Sequence, residues 1–416
     1  MSLFWKEASY SFVYFDHLPD LDWDDAYQEF IPQVIESSST LEYYRTLQRF
    51  CALLKDGHTN VYLPASAAAW LDRPSVVLIE IGHRAFVQNV STALQDTLPL
   101  GSEVIAVAGV ETARYLEQEV LPYISSSTEH ILWSTGISSL LDGPRGSSVS
   151  IGLRTPAGEQ KEISLKRNRG AFNETWVREL SASKPLVALH WPAERIAQVA
   201  LNSFADPQAV TQFTALLPEL EQCRALIIDI RSNSGGSTSI GKRILDHLTD
   251  RRLEGSTWRT REHRGAFKAW GKYAAQDPSL AQYRAYFDDN AWYQGGTDVL
   301  DPSPGKKLLR PMAVLIDHAT ASAAEDFLIY LDKAPNVTRV GRPTYGSTGQ
   351  PLAFDLPGGG SARVCTKRDT YPDGRDFVGV GVPPDVLVEP TIDDVIHGRD
   401  PALARAVALL QEQLKD

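Results

Sequence analysis

The stretch "VLIDHATASAAEDF" (314–327) decides how this chain is to be read. Its first four residues close an apolar run that begins at Met312. Beyond Ser322, residues Ala324, Phe327, Leu328 and Leu331 recur at the i, i+3, i+4, i+7 spacing of a buried helical face. A strand therefore gives way to a helix at Ser322. A serine at such a point serves as an ordinary N-cap. It is equally well placed as a nucleophile, because the N–H dipoles of a helix start favour developing negative charge.

The surrounding sequence has an α/β rhythm from about residue 185. Strand "IAQVAL" (196–201) precedes a helix near 207–222, strand "ALIIDI" (225–230), a Gly-rich turn and helix "SIGKRILDHL" (239–248). Apolar strands that alternate with helices predict a buried, largely parallel sheet. The turn, "DIRSNSGG" (229–236), can be a strand-to-helix loop that needs glycine for its geometry. It can also expose backbone N–H groups as an anion cradle. A polar, aromatic insertion with a basic lead occupies about 251–300.

The first 70 residues read as helices. Acidic residues Asp20, Asp22 and Asp24 alternate as in a calcium loop, but the glycine and closing glutamate of such a loop are absent, so helix capping is the better reading. A second helix (about 41–54) ends at "KDGHTNVYLP" (55–64), where Gly57 suits a C-terminal cap and His58 follows it. Short β segments fill about 72–168.

Bulk composition narrows the function classes. With 41 Lys+Arg against 52 Asp+Glu, the net charge of −11 argues against a nucleic-acid or anionic-membrane partner. No apolar run reaches membrane length, so no transmembrane segment is expected. Three widely spaced cysteines suggest neither a disulfide framework nor a structural zinc site. The start "MSLFWKEASYSF" lacks a basic region followed by an apolar one, so no signal peptide is read. A trimmed signal would make the protein secreted or periplasmic, and otherwise it would be cytoplasmic.

Four segments in order, "DIRSNSGG", "VLIDHATASAAEDF", "VGRPTYGSTGQPL" (340–352) and "YPDGRDFVGVGVPPDVLVEP" (371–390), resemble the serine peptidases that include the C-terminal processing peptidases, the tricorn protease core and the interphotoreceptor retinoid-binding protein. "LPLGSEVIAVAGVE" (98–111) resembles the core of a PDZ domain. The resemblance implies an α/β fold with a crotonase-like ββα superhelix as catalytic core (169–416), a PDZ-like β module (71–168) and a helical N-terminal segment (1–70). It implies Ser322 as nucleophile, an oxyanion hole from Gly235 or Gly236 together with Ala323, peptide or protein substrates, and no need of a metal or organic cofactor. A homo-oligomer is a possible partner arrangement that the sequence itself does not decide.

The resemblance also has gaps. Ser347 stands where the processing peptidases carry their general-base lysine in "TFGKG". The tricorn-like branch uses an upstream histidine instead, and "LLKDGHTNV" (53–61) resembles that segment, which makes His58 the candidate base. An ordinary histidine base would give an acid limb breaking at roughly 6 to 7.5. The family's late glutamate falls at Val378, so Asp376 is the candidate orienting acid. His318 and Lys367 are rival bases, and "SASK" (181–184) matches the SxxK pattern by chance. The rival function is an inactive peptide- or hydrophobic-ligand-binding member of the same fold.

Overall fold

The computed structural model describes residues 1–169, 174–179 and 184–415. It is a mixed α/β fold organised around a six-stranded sheet. The sheet order is Val187–Ala193, Ile196–Leu201, Ala225–Asp229, Met312–Ile316, Val337–Gly341, Val386–Leu387. The first pair is antiparallel and the remaining pairs are parallel. Alternate residues of these strands feed opposite layers. Ile227, Ala313 and Leu315 meet Ala402, Ala406 and Leu410 of the helix Pro401–Gln413, whereas Leu226, Ile228, Val314 and Ile316 face the main core. Burial on both faces is what the unbroken apolar runs encode.

The three N-terminal helices, Ser2–Ser11, Trp23–Ile35 and Thr40–Ala52, join that main core. Trp23 stacks on Phe50 with ring centroids 4.2 Å apart. The alternating aspartates do cap a helix: Asp22 accepts the N–H groups of Asp24 and Asp25. Gly57, however, does not close the third helix. Lys55 takes the left-handed conformation there (φ 45°). Gly57 serves clearance instead, because a Cβ on it would come 2.5 Å from Tyr345 Cε1 and 3.1 Å from Ser347 Oγ.

Immediately after His58, strand Asn60–Tyr62 pairs antiparallel with Ser361–Cys365, which in turn pairs with Pro351–Asp355. This small sheet fixes the His58 segment against the late part of the chain. Residues 76–166 form an antiparallel unit in the order Val76–Ile81, Arg84–Val90, Glu103–Val107, Ser148–Arg154, Gln160–Lys166, with helix Glu129–Ser139 on its first strand. It has its own apolar cluster, with Val87, Leu98, Val107, Ile137 and Leu153 fully buried. The basic insertion is a hairpin, Leu253–Arg261 with Trp292–Leu300, that also pairs with Arg368–Thr370. Several of its cations are already in ion pairs: Arg252 with Asp301, Arg264 with Glu262, and Lys268 with Asp289.

Candidate functional site

Two neighbouring parallel strands, Ala225–Asp229 and Met312–Ile316, deliver their following loops to one place. Thr320 Oγ1 donates to the Ile230 carbonyl at 3.0 Å, and the Ala321 N–H donates to the Asn233 carbonyl at 3.0 Å. Between these anchors and the helix Ala323–Tyr330 stands Ser322, with φ 55° and ψ −124°. A non-glycine residue in that region costs about 1–3 kcal/mol and persists only where the surroundings hold it. Here the Ser322 N–H is held by the Ser347 carbonyl at 3.2 Å and by Glu325 Oε2 at 3.1 Å.

The paired glycines approach from the other side. A Cβ on Gly235 (φ 100°) would come 2.7 Å from Ser322 Cβ and 3.0 Å from the Ala323 nitrogen. Gly236 (φ 132°) has its own reason to be glycine, since a Cβ there would meet the Phe204 backbone at 2.2 Å. The Gly235 N–H is already taken by Asn233 Oδ1 at 2.9 Å, which corrects its candidacy as an oxyanion donor. The N–H groups of Gly236 and Ala323 have no partner among the described residues.

Glu325, fully buried, ties this corner together. Its Oε1 accepts Thr344 Oγ1 at 2.5 Å and the Gly346 N–H at 2.8 Å, and its Oε2 accepts the N–H groups of Ser347 and Ser322. Burial pushes its carboxyl up to about 8 against those four hydrogen bonds. Sequence reasoning used Glu325 only as part of a motif. The four donors converge from two loops, which no local pattern announces.

His58 is buried at 8% exposure, and its Nδ1 lies 2.7 Å from Ser347 Oγ. The carbonyl of that same Ser347 receives the Ser322 N–H. Ser347 thus joins the two candidate residues, and no direct bond links them. Burial lowers the imidazole to about 4, Asp56 opposes that shift, and Arg363 and Lys367 add to it. His58 is therefore neutral well below the 6 to 7.5 expected of an ordinary histidine, which corrects the sequence reading. Its Nε2 makes no hydrogen bond among the described residues.

Other candidates lie elsewhere. Asp376 is not brought to His58: its oxygens accept Arg368 Nη2 at 3.1 and 3.3 Å, and Arg368 also holds Asp16. Glycines did not shift Asp376 inward because a buried arginine captures it. His318 donates to or accepts no atom of Ser322. Its Nδ1 bonds the Pro343 carbonyl at 2.8 Å and its ring stacks on His130. Lys367 Nζ sits 3.0 Å from the fully buried Asp369. Burial pulls the lysine down, but Asp369 and Asp326 outweigh it and raise the ammonium above its ordinary value. Of "SASK", residues 181–183 lie outside the described residues.

Comparisons with known proteins agree on the class. Residues 195–388 match peptidase family S41. A chloroplastic carboxyl-terminal-processing peptidase 2 of Arabidopsis thaliana is 25% identical over 354 residues, spanning 83% of this chain but 60% of that one. A carboxyl-terminal-processing protease of a Picosynechococcus species is 23% identical over 389 residues, spanning 92% and 81%. Mature CPAF, solved in complex with lactacystin, superposes with a TM-score of 0.72 at 15% identity over 95% of this chain and 94% of that one. A CPAF mutant gives 0.75 at 15% identity over 100% and 97%. At such identities these structures speak for the fold alone.

The fold is that of a mixed α/β protein, and the sequence is similar to carboxyl-terminal-processing peptidases. More particularly, residues 195–388, just under half of the chain, are similar to peptidase family S41.

Proposed function

We propose that this protein is a serine peptidase of the Ser/His kind that hydrolyses peptide bonds of protein or peptide substrates. Ser322 is the nucleophile. His58 Nε2 takes its hydroxyl proton while Oγ attacks the scissile carbonyl carbon. The N–H groups of Gly236 and Ala323 receive the developing oxyanion, and Gly235 leaves room for it. The protonated His58 then donates to the departing amine, and water hydrolyses the acyl-enzyme.

The observation that carries this reading is the double role of Ser347, whose carbonyl takes the Ser322 N–H and whose hydroxyl takes His58 Nδ1. A serine cannot replace the family lysine as base, and Lys367, held as an ammonium beside Asp369, is in no state to accept a proton. In this reading residues 1–70 supply His58, a PDZ-like module at 71–168 recruits or gates substrate, and a crotonase-like core at 169–416 carries Ser322.

Peptide hydrolysis by the parent protein, its loss in Ser322→Ala, and acylation of Ser322 by a serine-directed probe are the expected results. Full activity in Ser322→Ala would overturn the assignment. A parent that binds peptides or apolar ligands and cleaves none would favour the binding-protein reading.

A further inference from the structure

The bonds around His58 contain a carboxylate other than Asp376. Asp56, at 1% exposure, presents Oδ2 to Thr59 Oγ1 at 2.6 Å, and Oδ1 to Ser127 Oγ at 3.1 Å and Ser347 Oγ at 3.3 Å. The proton directions in this cluster follow from its donors. Ser127 Oγ accepts the Gly57 N–H at 2.9 Å, and Thr59 Oγ1 accepts the Cys365 N–H at 3.0 Å. Each of these hydroxyls is thereby turned so that its own hydrogen points at Asp56.

A carboxylate only accepts. The Ser347 hydroxyl must therefore also donate to Asp56, and its oxygen is left to accept from His58 Nδ1 at 2.7 Å. The hydrogen of the neutral imidazole then sits on Nδ1 and the lone pair on Nε2, which is the tautomer a base acting through Nε2 requires.

We propose that Asp56 and Ser347 are positioning residues that fix His58 in this tautomer through the relay Asp56–Ser347–His58. The proposal rests on the reading of His58 as the base. It gives Ser347 a function at the position of the missing lysine, and it draws the orienting acid from the segment that carries the base. As Ser322 Oγ bonds to the carbonyl carbon, its proton moves to Nε2. The imidazolium that results keeps donating Nδ1–H to Ser347, which keeps donating to Asp56, and no proton crosses the relay.

Histidine 15N NMR on the full-length Ser322→Ala protein at pH 7 tests this without turnover, and the Nδ1–H tautomer is expected. An Nε2–H tautomer would overturn the relay. In the otherwise intact protein, Ser347→Ala and Asp56→Asn should lower kcat by about 10²- to 10⁴-fold with KM little changed. The same NMR experiment on the Ser322→Ala protein carrying Asp56→Asn should show Nδ1–H lost as the dominant form. Unchanged kcat in Ser347→Ala, with Ser322→Ala inactive, would sink the relay and leave the Ser322/His58 reading intact. An active Ser322→Ala would sink that reading instead, while the tautomer would still report on the relay.

Discussion

Gly235 stands so close to Ser322 that a single added methyl would come 2.7 Å from the serine Cβ. No neighbour can yield cheaply, because the other atoms met are backbone: the Ala321 carbonyl oxygen at 2.9 Å and the Ala323 nitrogen at 3.0 Å. Gly235→Ala should therefore displace the serine and the Ala323 N–H together. The φ of 100° adds about 1–3 kcal/mol of strain. Thermal unfolding should report the lost stability, and kcat should fall at least about tenfold, as removal of a single oxyanion donor already costs more. Parent-like kcat would show that the glycine turn is not part of the reacting surface.

The acid limb of kcat/KM should break near 4, where burial puts His58, rather than at the 6.5 of a free imidazole. Stability has the same sign. The unfolded histidine takes a proton below about 6.5 and the folded one waits until about 4, so stability is present above 6.5 and is lost as pH falls through that window. The loss is on the order of 3 kcal/mol. Denaturant titrations of the parent and His58→Ala between pH 4 and 7 should converge toward the acid end. A kinetic break above 6 would contradict the burial of the ring.

Glu325 should act in the opposite direction. Its folded carboxyl is raised to about 8 from an ordinary 4.5, so the folded state holds a proton that the unfolded state has released. Its contribution is full below 4.5 and is lost as pH rises toward 8. Glu325→Gln should flatten the dependence of unfolding free energy on pH across that range, whatever its effect on absolute stability. An unaltered slope would mean that the carboxyl is ionised throughout.

Asp376→Asn should leave kcat/KM unchanged. Asp376 is about one-third exposed and answers to Arg368, so its removal should lower stability by no more than about 1 kcal/mol. A hundredfold loss of kcat would return the orienting role to Asp376.

The strands and helices of the core were legible because each is long enough to carry its period: "IAQVAL" is the strand Ile196–Leu201, and "MAVLID" (312–317) contains the strand Met312–Ile316. The position of Ser322 between a strand and a helix was legible too. The pairings that complete the site were not. Asp56 and Ser347 are far apart in sequence, and their meeting depends on the short strand Asn60–Tyr62 finding Ser361–Cys365. Asp376 misled because its nearby glycines suggested freedom, while Arg368 and Asp16, which capture it, belong to other parts of the chain. Gly57 misled for a related reason, since its lack of a side chain serves a contact with Tyr345 rather than a local turn.

The pairing of Asn60–Tyr62 with Ser361–Cys365 has a consequence for the life of the molecule. Translation delivers the His58 segment before Ser322, and the strand that clamps that segment follows Ser322. A chain grown only just past Ser322 therefore holds His58 without the sheet that seats it. Under the proposed Ser322/His58 chemistry the site is complete only once Ser361–Cys365 has been made, so the order of synthesis itself delays its assembly.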